Sequence, residues 1–186
     1  MAICDSACAP SLPVTYNGGC GIVTRSSGIS KFAFIKCDYS FTDFSDAAEW
    51  TTAITAGDIV GTGLLLAEKP KGDFEKRRIQ SCAPEAVVGG TKVINFQDYN
   101  TDTITGGGAG TLQYDFWNGI LAQPSNFIFA WYTCNQFAYG PIDSFQIEID
   151  EVEENSENGK VYFDGSISYD SVAMTAPTSV NLDGIL

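Results

Sequence analysis

Histidine is absent from this chain, and basic residues are scarce: ten Lys and Arg stand against 23 Asp and Glu in 186 residues. The missing imidazole removes the commonest general base and the usual partner of a Ser or Cys nucleophile. No Gly-x-Ser-x-Gly occurs, and no glycine-rich segment runs on into Lys-Ser or Lys-Thr as a phosphate loop requires; Gly89-Gly90-Thr91-Lys92 has the wrong order and spacing. Paired carboxylates remain as a glycosidase's means, but with so many acids no spacing singles out two. The expectation is a protein that is not an enzyme and holds no cofactor and no metal.

Long apolar runs are missing too, the longest being short pieces at 63–67 and 127–132, so no segment reads as a membrane span. Residues 1–13 lack a positive charge and are broken by Asp5, Pro10 and Pro13, unlike a signal peptide. Asn-x-Ser/Thr sequons are absent as well. Together these predict a chain made and kept in a cytoplasm. The net charge of −13 argues against binding DNA, RNA or anionic membranes, because protein and ligand fields share a sign.

What is present is a folding composition, 44% hydrophobic with twelve Phe, eight Tyr and three Trp, in a chain of single-domain size. Six cysteines are unevenly spread: Cys4, Cys8 and Cys20 crowd the start, and Cys37, Cys82 and Cys134 lie in apolar or β-branched surroundings. Three readings stay open for them. They are reduced small hydrophobes, or a metal site begun by Cys4-x3-Cys8 and Cys20 with no histidine to complete it, or disulfides formed after release.

Periodicity predicts an α+β fold, mostly antiparallel strands with two short helices. Residues 31–41 alternate, with Ala33, Ile35, Cys37, Tyr39 and Phe41 on one face and Phe32, Phe34, Lys36, Asp38 and Ser40 on the other. Thr42, Asp43 and Ser45 offer caps for a helix over 45–56 carrying Ala47, Trp50 and Ile54 and stopped by Gly57. Further strands are expected at 58–66, 75–82 and 91–98, a glycine-rich hinge at 106–110, and a helix over 112–122 ending before Pro124. Phe145, Ile147 and Ile149, then Val161, Phe163, Ile167 and Tyr169, alternate on either side of the turn signal Asn158-Gly159 and predict a long C-terminal hairpin. The domain plan is an N-terminal Cys-containing arm over 1–30, one β-rich domain over 31–174, and a C-terminal tail over 175–186, frayed or ordered by a neighbour.

One metal motif is weighed and set aside. Asp98-x-Asn100-x-Asp102 imitates a calcium loop, but Thr103 stands where glycine is required and Ala109 where a glutamate belongs, so an Asx-rich turn explains it better.

Charge supplies the candidate site. Lys69, Lys71, Lys76, Arg77 and Arg78 place half of all the basic residues within 69–78, a stretch of net +3 once Asp73 and Glu75 are counted, which leaves −16 for the rest. Residues 143–157 hold seven acids and no base, among them Glu148, Asp150, Glu151, Glu153 and Glu154. Opposite charges so segregated predict that the basic stretch is a subunit interface, docking on the acidic hairpin of another copy; a merely solvated loop tip is the plainer account of those acids.

Scattered words of sequence carry a resemblance: Phe34-Ile35-Lys36-Cys37-Asp38, Phe41-Thr42-Asp43, Ala48-Glu49-Trp50, Lys69-Pro70-Lys71-Gly72, Ser81-Cys82-Ala83-Pro84-Glu85, Phe96-Gln97-Asp98-Tyr99-Asn100 and Asp115-Phe116-Trp117-Asn118. Over about residues 2–169 the chain resembles small virion structural proteins of tailed phages of the crAss-like group, which infect Bacteroidetes-type gut bacteria. The resemblance implies a many-copy virion subunit without chemistry. Phage tail-tube subunits are typically β-sandwiches or barrels with a flanking helix and a long hairpin, so a ring or tube of the tail or neck is expected, in which an acidic lining lets DNA slide past unbound. Two alternatives stand beside it: a capsid-associated decoration or head-fibre protein, and a secreted carbohydrate-binding module using Trp50, Trp117 and Trp131.

Overall fold

The computed structural model describes residues 28–78, 86–99, 112–155, 160–171 and 174–186. Residues 1–27 of the expected 1–30 arm, with Cys4, Cys8 and Cys20, and likewise Cys82, Asn100, Asp102, the 106–110 hinge and the Asn158-Gly159 turn lie outside the described residues, while Ile29 and Ser30 belong to the first strand of the domain and not to the arm. In chain order the elements are β1 (Ile29–Lys36), α1 (Ala47–Ala56), β2 (Ile59–Gly61), β3 (Leu66–Ala67), β4 (Lys71–Arg77), β5 (Ala86–Asp98), α2 (Leu112–Ala122), β6 (Phe127–Thr133), β7 (Phe137–Ile142), β8 (Gln146–Glu153), β9 (Val161–Asp170) and β10 (Pro177–Ser179).

The fold is α+β, and among the described residues every strand pairing is antiparallel. The strands run in the order β10-β7-β6-β1-β3-β5-β9-β8, with β2 attached to β1 and β4 to β5. Two-residue β3 joins the halves, since Ala67 pairs with Ile29 of β1 and with Phe96 of β5. The halves close on one core in a β-sandwich-like arrangement. Phe32, Phe34, Phe129 and Trp131 meet Ile94, Phe96, Phe163 and Ile167, all nearly or wholly excluded from solvent. Phe32 meets Phe96 and Phe129 edge-on at centroid distances of 5.0 and 5.2 Å, the geometry that ring quadrupoles favour. Helix α2 inserts Trp117 and Ile120, the Trp117 ring stacked on Phe96 at 5.3 Å.

Strand β1 is buried on both faces, because Ala33 and Ile35 enter a second core beneath α1 together with Trp50, Ala53, Ile59, Ala130, Tyr132, Val180 and Leu182. It ends at Lys36 rather than 41. There the Cys37 amide donates to Asn126 O and the Tyr39 amide turns back to Lys36 O. Tyr39, Phe41 and Phe44 then fold over Trp50, with Phe41 and Trp50 centroids 4.7 Å apart. Alternation continues in the sequence because aromatics are needed there for a cluster, not for a ladder.

Helix α1 takes Asp46 as its N-cap in place of the three residues expected; its carboxylate accepts from the Ala48 amide. Glu49 reaches back to accept from the amides of Thr42 and Asp43, and these hydrogen bonds hold its carboxyl below the usual range. Gly57, at φ 78°, closes the helix with its N–H on Ala53 and Ile54 carbonyls, a left-handed turn that a Cβ disfavours. Asp46→Ala is expected to lower stability by about 1 kcal/mol in chemical denaturation, the usual loss of a cap.

The predicted strand at 58–66 is two short ones. Thr62 interrupts it: its hydroxyl accepts from the Phe32 amide and its own amide donates to Phe32 O, pinning the segment across β1. The basic stretch, where a strand is expected only from 75, is a strand from Lys71, just after Pro70. Residues 175–186 are not a tail apart from the domain. Strand β10 pairs with β7, the Val180 amide donates to Gln136 O, the Leu182 amide donates to the buried Tyr132 hydroxyl at 3.1 Å, and Leu182 is wholly buried. Burial pushes the Tyr132 phenol up, keeping its proton available for Asp183.

Candidate functional site

The two charged segments lie on different unpaired edges. Strand β8 ends the sheet, and β4 borders β5; among the described residues neither has a second strand partner. Strand β5 is long enough to be shared: positions 91–98 pair with β9 on one side, while 86–93 pair with β4 on the other. The far half of β4 and the start of β5 therefore form a two-stranded arm beyond the reach of β9.

Every residue from Lys71 to Arg78 is exposed. The arm's apolar cover is Phe74, 43% exposed, whose ring lies on glycine backbone. A Cβ at Gly72, or at Gly90 opposite Phe74, would come within 2.7 Å of that ring, so a side chain at either position would push the ring off the arm. Lys71, Lys76, Arg77 and Arg78 point into solvent, but Lys69 does not belong with them. Its ammonium lies 3.3 Å from the Tyr139 hydroxyl and 5.3 Å above that ring, engaged by its own domain.

The five acids divide between two faces. Strand period places Glu148 and Asp150 on the outer face, with Glu154 in phase just beyond the strand, and Glu151 and Glu153 on the side that carries Ile147 and Ile149 toward the core. Glu151 accepts from the Tyr114 hydroxyl of α2, a bond that pushes the phenol up. Asp150 faces Asp164 directly across the ladder, a like-charge pair whose repulsion a cation or solvent relieves. Asp164 and Asp170 of β9 extend the acidic outer face and were not singled out from sequence. The signal was available, since they alternate with Phe163, Ile167 and Tyr169.

Other candidates resolve into packing. Trp50, Trp117 and Trp131 are all interior, at 1–2% exposure, so none offers a sugar-stacking face. Buried Asp98 of the calcium-like motif accepts from Trp117 Nε1 at 3.1 Å. Cys37 and Cys134 are free and exposed, contrary to the expected apolar setting, because each falls just past a strand end. No group of three metal-ligating side chains occurs among the described residues, and no helix there is long and apolar enough to cross a membrane. A groove of about 430 Å³ lined by Leu66, Glu68, Asn95, Gln97 and Asp164 brings together two carboxylates at the border of β3, β5 and β9. Compared with models of known families, with curated proteins and with solved structures, the chain matches none of them.

Proposed function

We propose that this chain is a non-enzymatic structural subunit of a phage virion that assembles with its own copies, and with other virion proteins, into a ring or tube of the tail or neck. The observation that carries the reading is the separation of charge onto two unpaired edges, a basic arm around β4 and an acidic border along β8. A surface patch complementary to a different patch on the same molecule gives head-to-tail contacts, which close into rings or run on as tubes. The polar outer face of β5, β9 and β8, bearing Glu148, Asp150, Asp164 and Asp170, suits a DNA conduit: carboxylates repel the polyanion, so it passes without sticking. Assembly takes place in the host cytoplasm, and the reading calls for no cofactor and no membrane.

Electron microscopy of the purified protein tests it. Rings or tubes are the expected result, thinning out as salt rises, because exposed charges are screened over about 8 Å at physiological ionic strength. Monodisperse single particles at all salt concentrations would instead favour the decoration or head-fibre reading.

A further inference from the structure

Three hydrogen bonds fix which backbone groups face outward on the two edges. The Glu154 amide donates to Lys160 O at 3.0 Å, continuing the register that sets Glu153 opposite Val161. In an antiparallel ladder the direction of the backbone groups alternates residue by residue. Even-numbered residues of β8 therefore turn their amides and carbonyls to β9, and Ile147, Ile149, Glu151 and Glu153 turn theirs outward. On β5 the Gly90 carbonyl accepts from Ser171 beside β9, whereas the Asn95 carbonyl accepts from Glu68 on the opposite side. Odd positions of β5 thus serve β4 through Lys71, Asp73 and Glu75, leaving the groups of Gly72 and Phe74 facing out.

We infer that β4 of one copy adds to the β8 edge of the next, so that the sheet continues from subunit to subunit through main-chain hydrogen bonds. This deepens the assembly reading above and rests on it. The strands are matched in length, seven residues against eight. Charge selects the pairing: β8 carries four acids and no base, so β8 against β8 is repulsive. Strand β4 paired antiparallel with itself about Phe74 sets Lys71 against Arg77 and Asp73 against Glu75, also like against like. The mixed pair alone brings a basic edge to an acidic one, and its partner is a second copy of this chain.

The test separates the backbone from the charge. Glu153→Pro and Glu153→Gln lose the same carboxylate, but only proline removes an outward amide, at an edge position where proline is tolerated. Sedimentation of both variants, with melting curves to confirm folding, is expected to show the proline variant assembling about ten- to hundredfold more weakly than the glutamine variant. Hydrogen exchange on wild-type assemblies gives an independent readout, with the amides of Ile147, Ile149, Glu151 and Glu153 slowed relative to free subunits. Equal assembly of the two variants, or fast exchange of those amides inside assemblies, overturns edge pairing while leaving self-assembly intact. A wild-type protein that never assembles overturns both.

Discussion

Reversing Arg77 and Arg78 to glutamate is expected to yield a folded protein that no longer assembles. Both side chains are exposed on an arm whose strand partner is β5 alone among the described residues, so the domain loses no core packing. An exposed ion pair contributes roughly 0.2–1 kcal/mol, and charge reversal turns the attraction into a repulsion of similar size. Two reversals then cost each interface about 1–4 kcal/mol, or about 5- to 1,000-fold in association. Analytical ultracentrifugation reads this directly as a shift in the concentration at which assemblies appear, while circular dichroism and the melting temperature stay at wild-type values. Lys69→Glu separates the two roles of the basic stretch: engaged with Tyr139, it is expected to perturb the domain's own packing more than its association. Unchanged assembly by the Arg77, Arg78 variant would remove the basic arm from the interface.

The hairpin of β8 and β9 and helix α2 were legible in sequence because each has one buried face. Phe145, Ile147 and Ile149 on one strand and Phe163, Ile167 and Tyr169 on the other declare period two, and Trp117 with Ile120 declares a helical stripe. Strand β1 was legible as a strand but not in its extent. With both faces buried its C-terminal end is set by tertiary hydrogen bonds to Asp58 and Asn126, which no local pattern records. The two-residue β3, which joins the halves of the sheet, has no periodic signal at all. Its pairing to β1 and β5 exists only because both neighbours are in place.

For the candidate site, composition located the charged segments, and the strand ladder altered their meaning. Seven acids crowded into 143–157 invite reading as one patch, yet pleating sends Glu148 and Asp150 to one face and Glu151 and Glu153 to the other. Conversely, Asp164 and Asp170 are separated from that cluster in sequence and join it across the sheet. Lys69 shows the same limit from the other side. Its proximity to Lys71 in the chain suggested a shared role, while the structure gives it to Tyr139, seventy residues away.

The end of the chain belongs to the domain for a physical reason that a single substitution exposes. Residues 175–186 lack periodicity because they serve as a strap rather than as a regular element: three residues pair with β7, and then Val180 and Leu182 drop into the core under α1. The strap is anchored by polar bonds as well, with the Leu182 amide on Tyr132, Asp183 accepting from Tyr132 and Gln136, and the Lys31 ammonium donating to the Leu186 carbonyl. Gly61 fits it closely, since a Cβ there would lie 2.8 Å from Leu186 Cδ2. Leu182→Ala should therefore behave as a core deletion, costing about 2–5 kcal/mol through lost transfer energy and the cavity left behind. In a domain of this size each kcal/mol lowers Tm by roughly 2–4 °C, so the melt is expected about 4–20 °C below wild type. Ser179→Ala, at an exposed position of β10, supplies the surface control and should shift the melt little. A Leu182→Ala melt equal to wild type would mean that the strap peels from its own domain at no cost, and it would return residues 175–186 to the role of an arm free to reach a neighbouring subunit.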